Sequence, residues 1–170
     1  MDNLIAMITF YNLRKHWLQK YSQRFPVKFG ALMVLMMFLI KVPFAPLIIA
    51  LGGAGTTETT LKFGLVGVLI SFLFLPIETL LGQTFPIWLL RKFKVHRWRW
   101  LILGSALFFG LLHLVAGLGT FFVGFSGGIA LCLCWLLWRE QSFLRAFLST
   151  TAVHVVHNVI AMGLFFIIKG

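Results

Sequence analysis

The chain is short of acid. Only Asp2, Glu58, Glu78 and Glu140 stand against 15 Lys and Arg in 170 residues, and charged residues of all kinds make up 11%. A soluble domain carries about a quarter charged residues, so there is too little polar surface here to cover a water-exposed globule. Cysteine is almost as scarce. Cys132 and Cys134 stand two residues apart, on roughly opposite sides of a helix, which argues against a disulfide or a metal pair between them. Internal repeats and low-complexity tracts are lacking. Residues 1–11 are only weakly apolar, basic residues follow them and no small-residue cleavage site is evident, so no cleavable signal peptide is expected.

What the chain has in excess is hydrocarbon: 60% of residues are hydrophobic and the mean hydropathy is +0.97. That surplus must face lipid. Five apolar stretches, at about residues 29–51, 63–90, 100–118, 121–138 and 146–168, approach or exceed the ~20 residues that cross a bilayer as a helix. The expected fold is an all-α polytopic transmembrane bundle: a basic N-terminal segment, residues 1–28, then a membrane domain over residues 29–168. Pro86 is expected to bend the second helix, which membrane helices tolerate; the alternative is a span that ends near Gln83, followed by an interfacial helix.

The net charge of +11 would suggest nucleic acid in a soluble protein. Here the cations lie between the spans, and the 19 Phe lie within the apolar runs, so no nucleic-acid partner is expected. Arg14, Lys15, Lys20, Arg24 and Lys28 precede the first span; Arg91, Lys92, Lys94, Arg97 and Arg99 separate the second from the third; Arg139 and Arg145 separate the fourth from the fifth. The opposite side receives only Lys62 and Lys169, with Lys41 inside the first span. The positive-inside rule then puts the N-terminus in the cytoplasm. Trp98, Trp100, Trp135 and Trp138 fall at the same ends, where interfacial anchors are expected. The small size and basic loops suggest a bacterial cytoplasmic membrane.

Against this background the polar residues inside the spans are few. Glu78 is the only acid in any apolar stretch, His113 lies in the third span, and His154, His157 and Asn158 lie in the fifth. Ionisable groups at mid-membrane cost several kcal/mol unless paired, so they face the bundle interior and are functional candidates. At 1.5 Å per residue, Glu78, His113 and Asn158 all lie roughly 18–20 Å from the basic ends of their helices. His154 and Asn158 share a face at i,i+4. Gly82 is placed for a close approach, and Gly124, Gly127 and Gly128 for tight packing.

A carboxylate beside an imidazole in a low-dielectric pocket can activate water. His154 and Asn158 can both donate hydrogen bonds to the oxyanion formed when water attacks a carbonyl. No Ser or Cys stands out as a partner for the histidines, which disfavours a covalent acyl-enzyme. His157 reads as a supporting or packing residue, His16 and His96 as solvated, and Lys41 as a snorkelling or pairing cation.

Three segments carry a resemblance. Pro76-Ile77-Glu78-Thr79-Leu80-Leu81-Gly82-Gln83 resembles the EExxxR motif of the CPBP family, the CAAX-protease and bacteriocin-processing intramembrane proteases. Phe109-Gly110-Leu111-Leu112-His113 is similar to its FxxxH motif, and His154-Val155-Val156-His157-Asn158 to its HxxxN motif. The resemblance spans residues 63–168 and implies an intramembrane endopeptidase acting on a peptide or protein substrate, in some cases membrane-anchored. Glu78 and His113 would activate water, and His154 and Asn158 would form the oxyanion site. Phe109, Thr79, Gln83 and His157 would support them. Thr79 and Gln83 replace the motif's second glutamate and arginine; an ETxxxQ form occurs in the family, but glutamine brings no charge to keep the carboxylate ionised. The family is often labelled metalloprotease. The reading adopted is glutamate-dependent with no required cofactor, the alternative being a divalent metal such as zinc on Glu78, His113 and His154. Two other functions compete: a non-catalytic member of the fold, of scaffold or bacteriocin-immunity type, and a haem- or metal-binding membrane protein using His113 and His154.

Overall fold

The computed structural model describes residues 19–24, 26–52 and 64–169. Most of the basic N-terminal segment, with Asp2 and His16, and the loop that carries Glu58 and Lys62 lie outside the described residues. The described chain is helical and contains no strand. Five helices are long and apolar enough to cross a membrane: Pro26–Ala50, Val66–Lys92, Trp98–Ala116, Leu118–Arg139 and Phe143–Leu164. The protein is an all-α polytopic membrane bundle. Helix is the form dictated by lipid, where no water satisfies the backbone amides and carbonyls.

The fourth span is the hub. In its most apolar window 67% of residues are buried inside the bundle, against no more than 28% in any other span. It packs on the first, third and fifth spans and buries Leu131, Leu136, Leu137 and both cysteines, which are free thiols. Trp135 and Trp138 differ from expectation: they are core residues, 1% and 7% exposed. Phe143 lies against Trp135 edge-on at 5.6 Å and Phe29 against Trp138 at 6.0 Å. A tryptophan near the end of the central helix meets neighbouring helices, where one on an outer helix meets the interface. Trp100, on an outer helix, is exposed as an anchor should be.

Prolines shape two spans. The first is α-helical over Pro26–Lys41, tightens to 3-10 geometry over Val42–Phe44 and resumes at Ala45–Ala50. Pro43 and Pro46 remove backbone donors there, so Lys41 is the last residue before the irregular turn. The second runs Gly64–Thr79, then a π-helical turn at Leu80–Thr84, then Phe85–Lys92, the long form expected. Pro86 has no N–H to offer the Gly82 carbonyl one turn back, and the Ser105 hydroxyl of the third span lies 3.0 Å from that oxygen as a substitute donor.

The connections on one end are Lys92 to Trp98 and Arg139 to Phe143, and they hold the basic residues. Gln19 bonds to Glu140 at this end, tying the segment before the first span to the turn after the fourth. At the opposite end Gly119 N donates to Leu51 O at 3.2 Å.

Candidate active site

One cavity of about 350 Å³ is lined by residues of all five spans: Lys41 from the first, Glu78 from the second, His113 from the third, Gly124 from the fourth, and His154 and Asn158 from the fifth. Glu78, His113 and His154, from three separate helices, meet at this cavity. His113 Nε2 lies 3.1 Å from Glu78 Oε1, and His154 Nε2 lies 4.0 Å from Glu78 Oε2.

The second span delivers Glu78 from the turn just before its π-helical segment. A π turn inserts an extra residue and re-aims the side chains that follow, and such turns are frequent at functional sites. Gly82 and Gln83 within it are buried. Glycine at 82 is required by close approach: a Cβ there would stand 2.1 Å from the Phe109 ring. The neighbour is a ring and not a backbone. Gln83 is fully buried and its Oε1 is 2.8 Å from the Ser105 hydroxyl. Gln83 therefore ties the second span to the third, outside the cavity lining.

His113 is held on three sides. Its Nδ1–H donates to the Phe109 carbonyl one turn back at 2.8 Å, the Phe109 ring packs 4.7 Å from the imidazole, and Gly124 lies against its other side. A Cβ on Gly124 would stand 2.7 Å from the imidazole and 3.0 Å from the Phe109 oxygen. Gly128 gives similar room to Ala106 and Phe109, while Gly127 meets only the end of Met37, at 3.5 Å. Two of the three glycines thus form the floor under the FxxxH segment. Because Nδ1–H is committed to a carbonyl, Nε2 is the atom that meets Glu78. A 3.1 Å contact between that nitrogen and a carboxylate oxygen needs a proton between them, so the pair holds one proton and can release or accept it as a unit.

His154 is 4% exposed. Its Nδ1 is 3.4 Å from the Thr79 hydroxyl, and Phe109 meets its ring edge-on at 5.7 Å. A hydroxyl that donates to Nδ1 leaves the proton on Nε2, the nitrogen that faces Glu78. Thr79, at the position of the motif's second glutamate, is fully buried behind His154 and does not line the cavity. Its hydroxyl is not presented as a nucleophile. Ser71 lines the cavity but donates to the Gly67 carbonyl at 2.9 Å.

The remaining wall comes from spans one and five. Asn158 Oδ1 is 3.0 Å from His157 Nδ1, and His157 Nε2 is 2.9 Å from Lys41 Nζ. Lys41 was expected only to snorkel or pair, and His157 only to pack or support. Both line the cavity. A cation inside an apolar span was the available signal for Lys41, but its partner lies on a helix 116 positions away, which spacing cannot reveal. Among the described residues no group of three or more His, Cys, Asp or Glu side chains is arranged to hold a metal ion.

The chain matches no protein-family model, no curated protein and no solved structure.

Proposed function

We propose that this protein is an intramembrane peptide hydrolase that attacks the scissile carbonyl with water activated by Glu78 and His113. The observation that carries the reading is the 3.1 Å Glu78–His113 contact opening on a cavity that His154 and Asn158 also line. A half-buried acid–imidazole pair is weak as a device for stability and well suited to moving a proton.

In the proposed reaction the pair takes a proton from water as the oxygen attacks the carbonyl carbon. The carbonyl π electrons pass to oxygen, and the resulting oxyanion accepts hydrogen bonds from His154 Nε2–H and the Asn158 side-chain amide. The 4.0 Å between His154 Nε2 and Glu78 Oε2 is a separation that one water bridges at ~2.8 Å to each. Collapse of the tetrahedral intermediate breaks the C–N bond, and the proton held by Glu78 and His113 goes to the leaving amine. The products are a carboxylic acid, which keeps the second proton of the water, and an amine, with no covalent enzyme intermediate. The resemblance of the Glu78, His113 and His154–Asn158 segments to the CPBP motifs supports the same assignment, as does the absence of a free hydroxyl or thiol among the described cavity residues.

The test is substrate identification. Membrane peptidomes of cells carrying the wild-type chain and Glu78→Ala should differ in at least one membrane-associated peptide or protein, cleaved in the first and intact in the second. Identical peptidomes with both proteins inserted at equal levels would remove the hydrolase reading. The N-terminus-in orientation and a bacterial cytoplasmic membrane belong to the same proposal, supported by the basic residues gathered at one end of the bundle.

A further inference from the structure

Lys41 is a cation inside an apolar span, where a charged group is costly unless it faces the bundle interior and finds a partner. Its position is set by the first span's own irregularity: it ends the α-helical stretch Pro26–Lys41, one residue before the proline-driven 3-10 turn. The side chain turns inward to line the same cavity as Glu78 and His113. Its ammonium lies 2.9 Å from His157 Nε2 and 5.9 Å from the Phe38 ring. Phe38, one turn earlier on the same span, packs tilted at 36° against the His157 ring, 4.6 Å between centroids. The first span therefore grips one imidazole of the fifth span from its face and from one nitrogen.

The direction of each hydrogen bond follows from chemistry. An ammonium has donors and no acceptor, so Lys41 must donate to His157 Nε2. That nitrogen then carries a lone pair, and the ring proton sits on Nδ1. Nδ1–H can only donate, and the atom 3.0 Å from it is Asn158 Oδ1. With its oxygen engaged, the group that Asn158 has left for the cavity is the side-chain N–H. In the absence of Lys41, His157 could carry its proton on either nitrogen, and Asn158 could turn acceptor-first toward an oxyanion it is meant to bind.

We infer that Lys41 and His157 are positioning residues, which lock Asn158 with its amide N–H presented to the cavity. The role rests on the hydrolase reading for its consequence, but the lock itself does not. A plain interhelical bond between spans one and five would also hold the helices together; it would not dictate a tautomer or reach the cavity through Asn158.

Two arms test this on the full chain in lipid nanodiscs. In the first, ¹⁵N-histidine spectra, with the His157 signals assigned by their loss in His157→Gln, should show protonation at Nδ1 in the wild type. Lys41→Met, which suits an apolar span and so keeps the fold, should move protonation toward Nε2, and Lys41→Arg should restore the wild-type pattern. In the second, cleavage of the substrate found by peptidomics should lose kcat by about a hundredfold in Lys41→Met, the scale of a misplaced catalytic contact. KM should stay within a factor of two, and Lys41→Arg should recover most of the rate. A wild-type His157 protonated at Nε2, or one whose tautomer ignores Lys41→Met, overturns the lock. A defect carried by KM alone overturns the positioning role. If Glu78→Ala leaves the peptidome unchanged, the hydrolase reading fails, and the spectra still decide the lock.

Discussion

On one wall of the cavity Glu78 and His113 meet at 3.1 Å; on the other, Lys41, His157 and Asn158 form a chain of 2.9 and 3.0 Å contacts. The first wall is symmetrical in what it can do, since either partner can hold the proton. The second is polarised, because an ammonium at one end permits only one sequence of donors and acceptors. The difference matches the two demands of hydrolysis by water: a group that must change protonation during the reaction, and a donor that must not.

Several substitutions would break or sharpen this contrast. The largest effect is expected at His113. His113→Ala removes the partner with which Glu78 shares its proton and should lower kcat/KM on the identified substrate by on the order of 10²–10⁴-fold, the usual share of acid–base catalysis. Insertion and helix content should be unchanged. Cleavage within a few-fold of wild type would show that Glu78 works alone. Asn158→Ala on the opposite wall should cost roughly 10²–10³-fold, as for loss of one oxyanion donor. Adding Lys41→Met to Asn158→Ala should cost little more, since residues acting through one another are not additive.

The floor gives an intermediate effect. Gly124→Ala places a methyl 2.7 Å from the His113 ring, whereas at Gly127 the nearest atom is the flexible end of Met37 at 3.5 Å. The first should destabilise the protein by about 1–3 kcal/mol and reduce cleavage; the second should do neither. Thermal unfolding in detergent and cleavage of the same substrate measure both, and equal behaviour of the two variants would remove the floor from the account. The smallest change is expected at Thr79. Thr79→Val keeps the shape and removes the hydroxyl 3.4 Å from His154 Nδ1, a loss near 1 kcal/mol. Cleavage should fall about fivefold with unchanged KM.

The two walls were not equally legible in the sequence. Glu78, His113 and Asn158 could be found because each is a polar residue in a long apolar stretch at a similar distance from a basic helix end, and His154 because it shares a helix face with Asn158. Helix geometry converts that into depth. The five-helix fold was legible for a related reason, since apolar length and basic ends decide a membrane bundle before any packing is known. The other wall depends on a contact between spans one and five. Lys41 sits in a proline-broken segment whose facing direction no periodicity gives, and His157 and Asn158 are adjacent, which on a regular helix sets them about 100° apart. Trp135 and Trp138 were misplaced for the same kind of reason: which helix occupies the centre is a property of packing and not of hydropathy.

In the proposed reaction Glu78 delivers a water molecule to a peptide bond. Purified wild-type and Glu78→Gln proteins, in the same lipid nanodiscs with the identified substrate in H₂¹⁸O, test it most directly. Wild type should release a product with one ¹⁸O in its new carboxylate under single turnover, and Glu78→Gln, which keeps the shape but cannot take a proton, should leave the substrate uncut. Equal release of labelled product by both would contradict the account.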